Sequence, residues 1–368
     1  MKKSNIFICL LLLAATSACA AVNRPLVYNG DTLEWNYDWT CAQSGTVSST
    51  LKLPEISGIA CSRVTPGYIW MQSDDYQNRV IATTAKGDVL AKRVKFNKEI
   101  RWDWEDMSGG VYNGTNYLFI GAFGDNDETD GNYHIVYFEE PAIDDGVTEI
   151  TVTPSDIKFQ YPGGIKHNAE ALMYDNVDQV IYIITKVYYN VCQVFSLPFR
   201  LDYGDEEQTL SYVCDLGVKS DLGAGANPSK GFHLVTAADI SPDGKYILIK
   251  NHNNITPLYS WVLLFTRQEG ESVAETLVRQ THPEPLKCYE YEWQGEAICW
   301  LDSTLFYTTS DSDGEPPIYR YKKKKPAALD EISDNTTDNR SLVLIDHNIY
   351  IRSKEGVLFT LDGRRVQQ

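Results

Sequence analysis

The chain has 368 residues, 43% of them hydrophobic, and a formal charge of −17 from 33 Lys and Arg against 50 Asp and Glu. That length can bury a sizeable core, and the acidity excludes a nucleic-acid polymer as the natural partner, because phosphate binding needs a basic footprint. Excess acid suits solubility outside the cytoplasm or cation binding, and does not separate the two.

Residues 1–21, MKKSNIFICLLLLAATSACAA, read as a secretory signal peptide. Lys2 and Lys3 form a basic start, Ile6–Ala15 an apolar run too short for a bilayer, and Ala18-Cys19-Ala20 a small-residue end. Cleavage is expected near Ala20 or Ala21, giving a secreted or periplasmic protein. The alternative is a lipoprotein acylated at Cys19, although Thr16 stands where a lipobox has an aliphatic residue. Cleavage removes two lysines and takes the charge from −17 to −19. No later stretch reaches the ~18 apolar residues of a membrane helix.

Cys41, Cys61, Cys192, Cys214, Cys288 and Cys299 remain, and six cysteines in an exported chain suggest disulfides. Pairing of sequence neighbours is the simplest expectation: Cys41–Cys61, Cys192–Cys214 and Cys288–Cys299. No C-x-x-C favours a metal instead.

Five stretches then share a grammar of an acid, apolar or small residues, and a turn. They are PEISGIACS from Pro54, WEDMSGGVY from Trp104, NAEALMYDN from Asn168, AADISPDGK from Ala237 and GEAICWLDS from Gly295. Each precedes a second apolar strand: YIWMQSDD, YLFIGAFGDND, VIYIITK, YILIKNHN and LFYTTSDSD. Third strands follow, and DVLAKRVKF, EITVTPSDIKF, TLSYVCDL and AETLVRQ are candidate fourth strands. Aligned on Glu55, Asp106, Glu170, Asp239 and Glu296, the units recur at intervals of 51, 64, 69 and 57. Four short strands per unit at such spacing predict an all-β propeller over residues 22–325. The fifth unit lacks a clear fourth strand, which TVSSTLKL (46–53) would supply, closing a five-bladed ring and removing its exposed edges. A six-bladed alternative would draw on VYNGDTLEW and SLVLIDHNIYIRSKEGVLFTLDG. Residues 326–340 read as a polar linker, making 326–368 a linker with a C-terminal hairpin.

Inner strands of a propeller line its channel, so equivalent residues of successive units converge. Carboxylates sharing that space must be protonated, hydrated, hydrogen-bonded or neutralised by a cation. Oxygen-only ligands favour Ca²⁺ over zinc. The plainer role for such acids is to accept backbone N–H bonds between blades. Alternation puts Asp103 and Glu105 on one side of the second inner strand, and Trp102, Trp104 and Asp106 on the other. A second set falls at the ends of the second strands, where loops gather at one channel mouth: Asp74, Asp75, Asp125 with Asn126 and Asp127, Lys186, Asn251, His252, Asp311 and Asp313. His167 and His233 precede inner strands, and Trp102, Trp104 and Trp293 are candidates to stack on sugars or fill blade interfaces.

In order, E-I-S-G-I-A at Glu55, D-W-E-D-M at Asp103, G-D-N at Gly124, N-A-E-A-L at Asn168, S-P-D-G at Ser241 and G-E-A at Gly295 resemble a family of secreted bacterial β-propellers of unassigned activity. More faintly, the chain resembles the five-bladed calcium-dependent apyrases, which hydrolyse nucleoside di- and triphosphates. That resemblance implies a channel Ca²⁺ held by Ser57, Glu105, Glu170 and Glu296, with Thr236 or Asp239 standing where the family has Ser. It also places Asp74, Asp75 and Lys250 near substrate. The family's paired arginines are missing, with Thr185-Lys186 in their place. The function expected is a monomeric binding or scaffold propeller at the cell envelope, with Ca²⁺ in its channel and an unknown ligand at its mouth. Alternatives are a Ca²⁺-dependent phosphohydrolase of the apyrase type and a carbohydrate- or peptide-binding module.

Overall fold

The computed structural model describes residues 26–28, 31–74, 78–187, 191–220, 233–253, 260–286, 292, 294–311, 314–324, 341–345, 348–352 and 357–359. The chain divides into two compact units, Met1–Lys322 and Lys323–Gln368.

Five sheets form the body of the first unit, each starting with one of the five recurring phrases and antiparallel through its first three strands; Glu149–Val152 and Gln208–Thr209 add parallel edge strands to blades one and two. Their innermost strands are Ile56–Cys61, Trp104–Tyr112, Ala169–Asp175, His233–Ile240 and Gly295–Asp302. Each inner strand packs against the next, and the fifth returns to the first. The protein is therefore a five-bladed β-propeller. Apolar clusters sit at the five joints. Trp70 shares a cluster with Trp104 between blades one and two; Phe119 stacks on Tyr174 between two and three. Tyr182 shares a cluster with Ile247 between three and four, Leu248 with Trp300 between four and five, and Ile59 with Tyr307 between five and one. The inner strand Ile56–Cys61 is buried at every position, which explains its unbroken run of apolar and small residues.

An N-terminal strand closes the ring, as the sequence predicts, but from a segment slightly earlier in the chain. Trp39–Thr46 lies beside Pro317–Lys323 as the fourth strand of blade five. The Ser44 hydroxyl donates to the Ile318 carbonyl across this junction. Residues 46–53 cannot fill that place, because the Ser48 hydroxyl accepts from the Thr50 N–H and starts a 3₁₀ turn at Ser49–Leu51.

Two other expected elements differ. AETLVRQ is a helix, Val273–Arg279, opened by a capping box in which Ser272 and Glu275 bond each other's backbone N–H. The fourth strand of blade four is instead Glu284–Leu286. The segments proposed for a sixth blade do not make one. Leu26–Tyr28 pairs with Val218–Ser220 on one side and Asp31–Leu33 on the other, and Ser341–Ile345, Asn348–Arg352 and Leu358–Phe359 form a sheet of their own. Among the described residues, no helix is long and apolar enough to cross a membrane.

All three expected disulfides are overturned, because Cys61, Cys192, Cys214 and Cys299 are free and buried. Cys41 is disulfide-bonded, and Cys288 lies outside the described residues. Pairing sequence neighbours fails here on register. Val194, not Cys192, stands opposite Cys214, while Cys61 sits on the first inner strand and Cys41 on the last outer one.

Candidate functional site

Every inner strand carries one extra residue relative to its partner strand, near its start. The register shifts fall between Ile56 and Gly58, Trp104 and Met107, Ala169 and Ala171, Val235 and Ala237, and Gly295 and Ala297. The residues accommodated are Ser57, Glu105, Glu170, Thr236 and Glu296. A β-bulge re-aims a side chain, and here it does so at the same level in all five blades. Aligning the phrases on their acids is therefore out of frame in three of them. Glu55 comes two residues early, Asp106 one late and Asp239 three late.

Glu105, Glu170 and Glu296 converge, each buried. The Lys186 ammonium stands 2.5 Å from Glu170 and 3.8 Å from Glu296, and His252 Nε2 is 3.6 Å from Glu296. Gln72 closes the ring on the blade-one side. It is fully buried, and its amide donates to the Ser57 hydroxyl at 3.2 Å and to the Glu105 carbonyl. Its Oε1 has no hydrogen-bond partner among the described residues. The Ser57 and Thr236 hydroxyls donate to the carbonyls of Trp104 and Gly295 in the next blade. Both oxygens keep lone pairs for an incoming group.

A second ring lies one step nearer the mouth. The N–H groups of Asp74, Gly124, Lys186 and Asp311 donate to the carbonyls of Glu55, Asp103, Asn168 and Gln294, each two residues before a bulge. His252, paired with Leu234, holds the equivalent place in blade four. Gly124 is required by close approach: a Cβ there would lie 2.1 Å from a Glu105 carboxylate oxygen and 2.6 Å from one of Asp103.

The two rings hold more acid than base. Burial, then Glu170 and Asp103, pushes Glu105 well above the usual carboxylate range. Burial raises Glu170 to about 7 despite the pull of Lys186. Burial alone would raise Glu296 too, but Lys186, His252 and Lys250 hold it below its ordinary value. For Lys186, burial disfavours the charge, yet Glu170 and Glu296 outweigh it and keep the ammonium protonated. Lys250 and Glu292 form a separate buried pair at 2.8 Å. Burial lowers Lys250 against the support of that carboxylate.

Asp74 gives a measurable consequence. Burial, then Asp311, Glu55, Glu296 and Asp103, pushes it up to about 8. The folded protein therefore holds a proton that the unfolded chain releases near the ordinary carboxylate value, and stability falls as pH rises between them. Melting temperatures from pH 5 to 9 in the presence of a chelator should decline, and Asp74→Asn should flatten that decline. Equal slopes in the two proteins would remove Asp74 from the cause.

The remaining predicted residues do other things. Asp106 and Asp239 staple inner strands together. Asp106 accepts the N–H groups of Met107, Leu172 and Ala238; Asp239 accepts that of Trp300 at 2.7 Å and the Ser108 hydroxyl. Asp125 organises its own loop, accepting from Thr129, Asp130, Gly131 and the Tyr133 hydroxyl. Trp104 is buried between blades, and Trp102 stacks on His134 at 3.4 Å. Asp75, Trp293 and Asp313 lie outside the described residues, as does the side chain of His233. Gln72 and Glu292 are the site residues that sequence reasoning missed. Gln72 sits inside an apolar strand phrase, and Glu292 in EYEWQGEA carries no spacing signal. Beside the rings, a cleft of about 530 Å³ is lined by Asn126, Glu128, His167, Asn168, Lys186 and Gln193, among others.

The oxygen donors Ser57, Glu105, Glu170, Thr236 and Glu296 suit a hard cation such as Ca²⁺ in chemical type. Among the described residues, no group of three or more His, Cys, Asp and Glu has the spacing of a metal site, and the positive charge between the carboxylates is that of Lys186.

No family model matches the chain, and no curated protein matches it. Among solved structures, it is similar to a hydrazine synthase chain of Kuenenia stuttgartiensis at 10% identity, with a TM-score of 0.36 over 75% of this chain and 98% of that one. A protein of unknown function from Bacteroides thetaiotaomicron is 8% identical, with a TM-score of 0.38 over 80% and 78%. A periplasmic gluconolactonase of Pseudomonas aeruginosa is 13% identical, with a TM-score of 0.32 over 70% of each chain. Scores this low carry no functional argument, and the five-bladed fold stands on the strand pairing itself.

Proposed function

We propose that the protein is an exported binding or scaffold propeller whose channel ring accepts a hard divalent cation, Ca²⁺. The observation that carries this reading is the bulge repeated in all five inner strands, which turns only oxygen donors, Ser57, Glu105, Glu170, Thr236 and Glu296, to one level. Three of the five are carboxylates, and burial, with repulsion among the acids added to it, raises Glu105 and Glu170. The unpartnered Oε1 of Gln72 beside Ser57 adds a neutral oxygen. Ca²⁺ would compete with the Lys186 ammonium for this space and lend the blades a common tie.

The apyrase-type phosphohydrolase is the second reading, favoured by two lysines, Lys186 and Lys250, whose charges act on Glu296. Both ammoniums are already engaged, by Glu170 and Glu292, and that pairing weakens their grip on phosphate. Titration calorimetry on the mature chain tests the two readings together. Ca²⁺ should bind and raise the melting temperature. Mg²⁺ should do so poorly, because it demands tight octahedral geometry. Glu170→Gln should abolish the response, and ATP, ADP and UDP should remain intact. Absence of both Ca²⁺ heat and any chelator effect would overturn the cation reading, and nucleotide turnover would move the assignment to the hydrolase.

A further inference from the structure

Blade five is built from both ends of the propeller sequence: Gly295–Lys323 supplies three strands and Trp39–Thr46 the fourth, whose Cys41 is disulfide-bonded. Its inner strand packs against that of blade one at the joint where the ring closes. At this joint the innermost strands place two thiols face to face. Cys61 ends the inner strand of blade one and Cys299 lies in that of blade five, with their sulfurs 3.3 Å apart across 238 positions of sequence. Both are buried, at 6% and 1% exposure, among Ile59, Ile69, Ala297 and Ile318.

We propose that Cys61 and Cys299 form a disulfide when the chain folds in an oxidising compartment, and that this bond ties the inner strands of blades one and five to each other. The sulfurs need to approach by about 1.3 Å to reach bonding distance, a movement within the reach of side-chain rotation. In the reaction the two thiols lose two protons and two electrons as the S–S bond forms. A small-molecule disulfide such as oxidised glutathione takes the electrons and leaves as two thiols. Exchange requires a thiolate that oxidant can reach, and the finished core offers neither. Burial, followed by the neighbouring Cys61 sulfur, holds the Cys299 thiol well above its ordinary range. The bond therefore forms while the joint is still open, as blade five docks on blade one. The crosslink would hold the inner strands of blades one and five together across 238 positions of sequence.

The pair is distinct from the other buried thiols. Cys192 and Cys214 lie on adjacent strands of a single blade, two residues out of register, and joining them would tie nothing that the blade's own hydrogen bonds do not already hold. This inference does not depend on the cation reading, since neither sulfur belongs to the two rings of the channel.

The test begins with mature chain refolded from the reduced state in a reduced/oxidised glutathione mixture. Free thiols are alkylated in denaturant, the protein is digested without reduction, and linked peptides are sought by mass spectrometry. A Cys61–Cys299 peptide that disappears on reduction is the expected result. Cys192 and Cys214 should be recovered alkylated. Against Cys299→Ala refolded in the same mixture, the oxidised wild type should melt about 5–10 °C higher. The peptide measurement stands on the wild type alone, so a variant that fails to fold leaves the test intact. Recovery of Cys61 and Cys299 as alkylated thiols from folded, fully oxidised protein would overturn the proposal, as would either one linked to a different cysteine.

Discussion

Asp106→Ala should destabilise the propeller by about 3–5 kcal/mol, lowering the melting temperature by roughly 10–15 °C, because each buried donor stripped of its acceptor costs ~1–3 kcal/mol. The carboxylate is fully buried and accepts three backbone N–H groups: its neighbour Met107 at 2.8 Å, Leu172 of blade three at 3.0 Å and Ala238 of blade four at 3.0 Å. One side chain thus joins three consecutive inner strands. Its own environment records the cost, since burial pushes the carboxyl well up although the three N–H groups pull it down. Asp106→Asn is the informative companion. Its carbonyl oxygen keeps part of the set, but its amide must face a donor, so the loss should be intermediate. Chemical denaturation of the three proteins measures the series. A loss below about 1 kcal/mol for alanine would mean that water or a shifted strand satisfies those donors.

Asp106 also shows why the sequence was legible at one level and opaque at the next. The phrase WEDMSGGVY holds Glu105 and Asp106 side by side, and strict strand alternation assigns them to opposite faces. The bulge gives them two jobs, one carboxylate in the channel ring and the other across three backbones. A bulge of one residue leaves no mark in composition or periodicity, which is why Asp239 joins the metal set in the sequence reading and Thr236 stands only as its alternative. The repeat itself was readable because buried inner strands must be continuously apolar or small, and that pattern survives any frame error. Ring closure was readable in kind and misplaced by several residues, since Ser48 and Thr50 stop the strand by a local turn that propensity alone does not expose. The helix at Val273–Arg279 did carry its signal, Ser272 and Glu275 in capping-box spacing, and strand-like neighbours masked it. The meeting of Cys61 and Cys299 was beyond reach for a topological reason. A closed ring makes neighbours of Cys61 and Cys299, residues from nearly opposite ends of the propeller.

Replacing Lys186 with methionine should change stability and cation affinity in opposite directions. In the absence of metal, the ammonium is the closest positive charge to Glu170 and also faces Glu296, and all three side chains are at least nine-tenths buried or nearly so. Breaking a buried pair from one side costs about 3–5 kcal/mol, because the abandoned charge remains. Proton uptake limits that cost, as burial has already raised Glu170 to about 7, so the loss should be smaller at pH 6 than at pH 8. Ca²⁺ should reverse the deficit. With no ammonium to displace, the variant should bind the cation at least tenfold more tightly than wild type, which corresponds to about 1.4 kcal/mol. Paired melting curves with chelator and with Ca²⁺, together with calorimetric Kd values, give both halves of the comparison. If Lys186→Met loses stability but binds Ca²⁺ no better, the ammonium is a structural partner of Glu170 and does not stand in the cation's place. If it binds better without losing stability in chelator, the ion pair at 2.5 Å contributes little, and the ring is held by the Asp106 and Asp239 staples beneath it. The predicted combination, a less stable metal-free protein with a tighter cation site, requires that lysine and cation serve the same carboxylates in turn.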